Sequence, residues 1–328
     1  MRALVTGGCG FIGSAVTNRL VAEGDFVDVV DDLSNGDLSN LSWEFNTVLP
    51  TLLSRYPKVA CHNKPLVITG DFVDREVLTK IQMGSYDVVY HLAANPRVGY
   101  SVEKPVESNE TNLHKSVALF KVAADSGTRV VFSSSSAVYG QPEKLPTQED
   151  DNKIPQSPYG LQKLLCEQYL DLFTRMHGLD AISLRYFNVY GPRALGDSPY
   201  STVVAAWCNA LYDNRPLRSD GNGEQSRDMV YIDDIAEANF LAGRAPDKFD
   251  SAKVNVATGE SYTNNKILSL IASRIKNLNL RHAPAREGDI KDMMGSTVLA
   301  EEILHFRAQT SLEKGLEKTL KWWGLIDA

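Results

Sequence analysis

A tyrosine and a lysine stand four residues apart in "SPYGLQKLLCEQYL", at Tyr159 and Lys163. That spacing puts them one above the other on a single helical face. A phenol held beside an ammonium can serve as a base, because the cation stabilises the phenolate. A free tyrosine ionises near ~10, and reaching about 7 takes roughly 4 kcal/mol of extra stabilisation of the anion. The spacing alone is a weak signal. The chain holds 13 tyrosines and repeats the pattern at Tyr100/Lys104 and Tyr262/Lys266. Tyr100/Lys104 runs straight into Pro105, which interrupts a helix. Tyr262/Lys266 lies far along the chain, at what reads as a solvated helix start. Only Tyr159/Lys163 opens a helix behind the apolar strand "RVVFSSSS", after a Ser-Pro entry signal.

A second group of residues suits an anion. Gly7, Gly10 and Gly13 in "VTGGCGFIGS" lie between a strand and a helix. Glycines there let the backbone approach a pyrophosphate, and the helix start offers free N–H groups and a positive dipole end. Asp31 follows 18 residues after Gly13, at the end of the second strand. A carboxylate there accepts hydrogen bonds from an adenosine ribose and repels a 2′-phosphate, so NAD is favoured over NADP. Asp32 is the alternative ribose partner, and Asp71, closing the third strand, is placed to reach the adenine.

These residues need a frame that brings strand ends together. Short apolar runs ("RALVTG", "FVDVVDD", "PLVITGD", "YDVVYHLAA", "RVVFSSSS", "DAISLRYFN") alternate with helical stretches at Phe11 to about Glu23, about Val102–Ser126 and Tyr159–His177. That rhythm predicts an α/β fold, a Rossmann-like doubly wound parallel sheet, with ligands at the carboxyl ends of the strands. The segment 41–64 reads as a helix plus a loop. Beyond about Arg193 the spacing turns irregular. Helices are expected at Thr202–Asp213, Asp233–Ala242, Asn264–Arg274 and Ser311–Trp323, with a lone strand "KVNVATG". The expectation is a nucleotide-binding domain over 1–188, a return of the chain near 228–258, and a smaller C-terminal α/β substrate lobe over 189–328.

Composition excludes several function classes. A formal net charge of -7 argues against a broad nucleic-acid surface. The four cysteines (Cys9, Cys61, Cys166, Cys208) are far apart and the six histidines scattered, so neither a disulfide framework nor a metal site is expected. No apolar run approaches the roughly 20 residues of a membrane span, and a cytoplasmic protein without membrane contact is expected.

Taken together, Gly7-x-x-Gly10-x-x-Gly13, "HLAA" at His91–Ala94, the serine run, Tyr159-x-x-x-Lys163 and "LRYFNVYGPR" resemble an extended short-chain dehydrogenase/reductase. More narrowly they resemble the NAD-dependent UDP-sugar 4-epimerases, over nearly the whole chain. The resemblance implies Ser135, Tyr159 and Lys163 as catalytic, with Ser136 beside the substrate and Asn112 as the structural asparagine. Lys115-Ser116 then stand where that family has glycine-threonine. It implies cofactor contacts at Phe11, Ile12, Asn35, Leu92, Ala93 and Ala94 besides the glycines and acids above. It also implies Asn188, Arg227 and Arg286 on the diphosphate of a UDP-sugar, and Asp289 on a ribose or uridine hydroxyl. Met293 stands at the wall of the sugar pocket, where tyrosine goes with plain hexoses and a small residue with N-acetyl sugars.

The same resemblance sorts the reactions. Related dehydratases and decarboxylases carry an acid just after the catalytic hydroxyl, whereas Ser135 is followed by Ser136 and Ala137. That leaves C4 epimerisation, with a UDP-glucuronate 4-epimerase as the alternative and Asn188 standing where those enzymes tend to have threonine. The segment "NPRVGYSVEKPVESNETN" is closer to N-acetylglucosamine-type enzymes. A homodimer through the helices at about Val102–Ser126 and Tyr159–His177 is implied, with Leu113, Val117, Leu119, Phe120, Leu164, Leu165 and Leu170 as candidates. A non-enzymatic NAD sensor on the same fold is the remaining alternative.

Overall fold

Residues 1–51, 65–196, 202–285 and 290–327 are described by a computed structural model of the protein. The apolar runs become strands because each is covered on both faces, where an unbroken run of β-branched residues replaces alternation. In chain order the elements of the first half are β1 (Arg2–Thr6), α1 (Phe11–Ala22), β2 (Phe26–Asp31), β3 (Asn46–Val48), β4 (Leu66–Thr69), α2 (Arg75–Gln82), β5 (Val88–His91), α3 (Val98–Glu103), α4 (Pro105–Asn109), α5 (Lys115–Ser126), β6 (Arg129–Ser135), α6 (Pro158–His177) and β7 (Ala181–Tyr186). Then follow β8 (Asn188–Tyr190), α7 (Val203–Tyr212), β9 (Leu217–Asp220), β10 (Ser226–Arg227), β11 (Met229–Tyr231), α8 (Ile232–Arg244), β12 (Ala252–Val256), β13 (Tyr262–Thr263), α9 (Asn264–Ala272), β14 (Leu280–Ala283), α10 (Val298–Leu304) and α11 (Leu312–Trp322).

Among the described residues the main sheet has eight strands in the order β12-β7-β6-β5-β1-β2-β4-β3. β1 pairs in parallel with β2 on one side and β5 on the other. The strand order therefore reverses at β1, and the carboxyl ends of β1 and β5 flank the switch point where such sheets bind ligands. The core on one face of this sheet includes Leu4, Ile68, Val89, Phe120, Phe132, Cys166 and Leu170, all within 2 % of complete burial. No helix among the described residues is long and apolar enough to cross a membrane.

The chain divides into two compact units, one of residues 1–138, 155–185 and 236–254, the other of 139–154, 186–235 and 255–328. The division differs from the sequence expectation. Residues 139–154 belong to the second unit, and the return to the first runs over 236–254, most of α8 and β12. The "lone" strand of the second half is thus an edge strand of the main sheet. The second unit also holds short pairs that the sequence did not announce: β8 with β11 and β9 with β14 in parallel, and β10 with β13 antiparallel.

One helical expectation is corrected. The stretch Val102–Ser126 is not one helix. It starts at Val98, breaks at Lys104 where Pro105 begins α4, and passes through a π-helical turn at Glu110–His114 before α5. The segment 41–64 contributes the edge strand β3, and its residues 52–64 lie outside the described residues.

Candidate active site

The turn after β1 is built around close backbone contact. Gly7 has φ +68°, and a Cβ on Gly13 would fall 1.9 Å from the Gly7 carbonyl oxygen. Gly10 caps α1 without a side-chain hydrogen bond, so the first-turn N–H groups at Phe11, Ile12 and Gly13 have no acceptor within the helix. Free N–H groups beside a glycine-lined backbone turn form a fitting cradle for a dinucleotide pyrophosphate. Asp31 orders the neighbouring loop, accepting from the N–H of Cys9 at 2.9 Å and of Leu33 at 2.8 Å. Burial pushes its carboxyl upward against those two bonds. Asp32 and Asn35 are exposed beyond it, Asp32 accepting from the Ser34 N–H.

A buried histidine joins this turn to the next strand. The Thr6 hydroxyl accepts from the N–H groups of Leu92 and Ala93 at 3.2 and 3.1 Å, so its proton goes to His91 Nδ1, 2.8 Å away. His91 Nε2 then carries the proton and donates to Ser116 Oγ at 2.9 Å, and Ser116 donates to the Asn112 carbonyl at 2.8 Å. Burial, with the Lys163 charge second, holds His91 neutral with a pKa of about 3. Asn112 sits in the π-helical turn. Its amide accepts from the Asn95 N–H at 2.7 Å and donates to Asn95 O and Gln162 Oε1 at 3.0 and 2.8 Å. The substitution of Lys115-Ser116 for glycine-threonine has visible consequences here. Ser116 completes the histidine relay, and Lys115 pairs with Asp71 at 2.5 Å. Asp71, expected at an adenine, is engaged by this lysine and by the turn N–H of Val73.

The tyrosine and lysine come to the end of β6. Ser157 caps α6 by accepting from the Gly160 N–H, Pro158 takes the first helical position, and a Cβ on Gly160 would lie 2.6 Å from the Ala137 carbonyl oxygen. The glycine beside Tyr159 therefore lets the helix start approach the chain just past Ser135. Ser101 Oγ accepts the Tyr159 N–H at 3.1 Å. The Ser135 hydroxyl hydrogen-bonds the Tyr159 phenol, and Lys163 Nζ donates to the Ser133 carbonyl at 2.6 Å while standing 5.8 Å from the centre of the tyrosine ring. Burial pulls Lys163 down to about 8, opposed by its interactions with the Cys166 thiol and the Glu167 carboxylate. It pushes Tyr159 up to about 12, partly offset by Ser135. The polypeptide thus assembles the triad but does not by itself ionise the phenol. The other two tyrosine–lysine pairs are of a different kind. Tyr100 and Lys104 both bind the exposed Glu107, and Tyr262 in β13 binds Glu260.

In the second unit Asn188, Arg227 and Met293 converge. Asn188 Nδ2 donates to the Asp228 carbonyl at 3.3 Å and reaches Met293 Sδ at 3.6 Å. Arg227 donates to the carbonyls of Ser226 and Lys291 at 2.9 and 3.3 Å, and the Met293 N–H to Ser226 O. Asp228 organises the cluster, accepting from the N–H groups of Thr258, Gly259 and Gly295 and from the Thr258 hydroxyl. Burial raises its carboxyl to about 6. Arg286 and Asp289 lie outside the described residues.

Sequence reasoning missed Asp228, and it missed the Glu167–Arg185 pair beneath the serine run. The signal for that pair was present: an arginine inside the apolar strand "AISLRYF" needs a buried partner, and Glu167 repeats the four-residue step from Tyr159 through Lys163.

Comparisons with known proteins give the family. Residues 3–257 match the model of the "NAD dependent epimerase/dehydratase family". The chain is 32% identical to a UDP-glucose 4-epimerase of Mycolicibacterium smegmatis, covering 98% of each. It is similar to the structure of a UDP-N-acetylglucosamine 4-epimerase from Methanobrevibacter ruminantium in complex with UDP-N-acetylmuramic acid (TM-score 0.86, 34% identity, 98% of this chain and 97% of that one). It is also similar to that of a UDP-glucose 4-epimerase from Thermotoga maritima with UDP-glucose (TM-score 0.86, 33% identity, 99% of each). A match over more than three quarters of the chain, a glycine turn shaped for a dinucleotide and a Ser-Tyr-Lys group at the adjoining strand end lead to one assignment: the protein belongs to the NAD-dependent epimerase/dehydratase family, with NAD as its cofactor.

Proposed function

We propose that the protein interconverts the C4 epimers of a UDP-hexose through a 4-keto intermediate. The observation that carries this reading is the Ser135–Tyr159–Lys163 group, in which Ser136 and Ala137 rather than an acid follow the serine. Dehydration and decarboxylation need a further acid or base there. Tyr159 takes the proton of the 4-hydroxyl, with Ser135 bridging the two oxygens. Lys163, anchored on the Ser133 carbonyl, favours the phenolate through its charge and would hold the nicotinamide ribose. When bound, NAD would take up the C4 hydride and give it back, and its cationic ring would add positive charge to the site. Between the two transfers the 4-keto sugar turns its other face, and Tyr159 gives the proton back. No net redox change results, so the protein keeps its cofactor.

The N–H groups at Phe11, Ile12 and Gly13 hold the pyrophosphate of NAD, over the turn that Gly7 and Gly10 close. Asp31, with Asp32 and Asn35, holds the adenosine ribose, and Leu92, Ala93 and Ala94 line the cofactor. Asn188, Arg227 and Arg286 hold the UDP diphosphate and Asp289 a hydroxyl of its nucleoside. Met293 is a flexible wall, and its contact with Asn188 supports a pocket that takes both plain and N-acetylated hexoses. The protein acts as a homodimer. Leu119, Phe120 and Leu170 are core residues of the first unit and cannot serve as its contacts. The exposed stripe Leu161, Tyr169, Leu172 and Met176 on α6, with Val106 on α4, supplies the apolar face instead.

Mixing the NAD-loaded protein with UDP-galactose, UDP-N-acetylgalactosamine or UDP-galacturonate and following the C4 epimer by NMR tests the reading. Conversion of a hexose supports it. Conversion of the uronate alone moves the substrate to UDP-glucuronate, and conversion of none leaves the NAD-sensor alternative.

A further inference from the structure

Three consecutive residues of β6 are fastened to one face of α6. The Ser133 carbonyl accepts from Lys163 at 2.6 Å, the Ser134 hydroxyl donates to Glu167 Oε1 at 2.5 Å, and the Ser135 hydroxyl bonds Tyr159. Tyr159, Lys163 and Glu167 recur every four residues, which aligns them along the helix. Glu167 is gripped in turn by Arg185 of β7, Nε to Oε1 at 2.9 Å and Nη2 to Oε2 at 2.7 Å. Both side chains of that ion pair are only 2 % exposed.

Stability does not account for such a pair. Desolvating two charges costs about what their attraction returns, and apolar side chains of similar size fill such space at least as well. What apolar residues could not do is hold the Ser134 hydroxyl, and with it the two positions on either side, to the helix that carries the base.

We propose that Glu167 and Arg185 are positioning residues for the catalytic group: the forked pair fixes Ser134, and so sets the Ser133 carbonyl under Lys163 and the Ser135 hydroxyl against Tyr159. The proposal rests on the functional reading above. The carboxylate has a second effect on the lysine. Lys163 is faced by Tyr159, Cys166 and Glu167 from its own helix, by neutral His91 from β5, and by the Ser133 carbonyl and Phe132 ring from β6. Glu167 is the fixed negative charge in this set, with Arg185 on its far side.

The test uses the full-length NAD-loaded protein. Either single charge deletion leaves an uncompensated buried ion and is strongly destabilising, so the decisive variant is Glu167→Leu/Arg185→Met, which removes both charges together. It is expected to fold and retain NAD, with kcat reduced on the order of 10- to 100-fold and KM for the UDP-sugar within about twofold. The alkaline limb of its kcat profile moves to lower pH, because the nearer charge lost to Lys163 is the negative one. A folded double variant with wild-type kcat and alkaline limb overturns the proposal. Ser134→Ala leaves the ion pair in place and only uncouples it from the strand. It is expected to fold, with an unfolding temperature lowered by the loss of one buried hydrogen bond and kcat lowered about tenfold; wild-type kcat there also overturns the proposal, even where the double variant does not fold. Hydride uptake, read as the near-ultraviolet band of the reduced cofactor on adding UDP-glucose, separates the two claims. A wild type that takes up hydride without forming the C4 epimer defeats the epimerase reading, while slowed uptake in the variants still supports positioning. A wild type that does neither overturns both.

Discussion

The chemistry of single residues turns on a phenol pushed the wrong way. Burial takes Tyr159 to about 12, and Ser135 opposes it only in part. The role proposed for it as a base therefore depends on positive charge from Lys163 and from bound NAD. Replacing Tyr159 with phenylalanine removes the proposed proton acceptor and little else. Turnover is expected to fall about 10²- to 10⁴-fold, with UDP-glucose affinity by calorimetry unchanged. Retention of full turnover would assign the base to another group. Met293 carries the prediction on substrate size. Its sulfur lies 3.6 Å from Asn188 Nδ2 and its side chain is buried, so a larger, rigid ring takes space from whatever shares that wall. Met293→Tyr is expected to lower kcat/KM for UDP-N-acetylgalactosamine at least tenfold more than for UDP-galactose. Equal losses on the two substrates would take Met293 out of the pocket wall.

At the scale of elements, the site depends on how tightly its helices and strands are tied. The four-residue step on α6 and the π-helical turn before α5 both serve side-chain bonds that ordinary helix packing does not require. A similar tie, away from the site, makes a pH-dependent contribution. Asp28 of β2 accepts from Tyr86 at 2.8 Å and is buried, with Lys80 of α2 nearby in charge. Burial raises its carboxyl from 3.8 to about 6. The folded state thus binds this proton more tightly than the unfolded state. The stability it contributes is fully present below about pH 4 and is lost as pH rises through about 6, a change of about 3 kcal/mol. Asp28→Asn lacks that term. In urea unfolding the variant is expected to gain about 2 to 3 kcal/mol on the wild type between about pH 4 and pH 7. A difference that does not change with pH would show that Asp28 is not the titrating group.

For the molecule as a whole, the exposed apolar side chains on α4 and α6 demand an explanation. Met176 is 63% exposed, in a stripe on α6 that also includes Leu161, Tyr169 and Leu172, and Val106 on α4 is 81% exposed. Such a surface on a well-packed unit favours self-association. Leu172→Glu places a charge in the middle of the stripe while touching none of the groups around Tyr159. It is expected to shift the proposed dimer to monomer in sedimentation, with NAD still bound. An unchanged dimer would place the interface elsewhere.

The parts of this protein legible in its sequence are those whose determinants lie close together in the chain. Six strands announce themselves because a strand covered on both faces must be apolar throughout. The glycine turn is legible because a pyrophosphate cradle needs Gly7, Gly10 and Gly13 at one strand–helix junction, and Tyr159 with Lys163 because one helix sets their geometry. What stayed hidden depends on partners far apart in sequence. Glu167 meets Arg185 across a strand, Asp228 gathers N–H groups from Thr258, Gly259 and Gly295, and residues 139–154 join the second unit despite lying between two segments of the first. A helix expected from Val102 to Ser126 broke because Pro105 and the bonds of Asn112 outweigh local propensity. The sequence alone therefore determined which residues could do the chemistry. Only tertiary structure decided how they are held, because burial sets the direction of each pKa and long-range hydrogen bonds set each position.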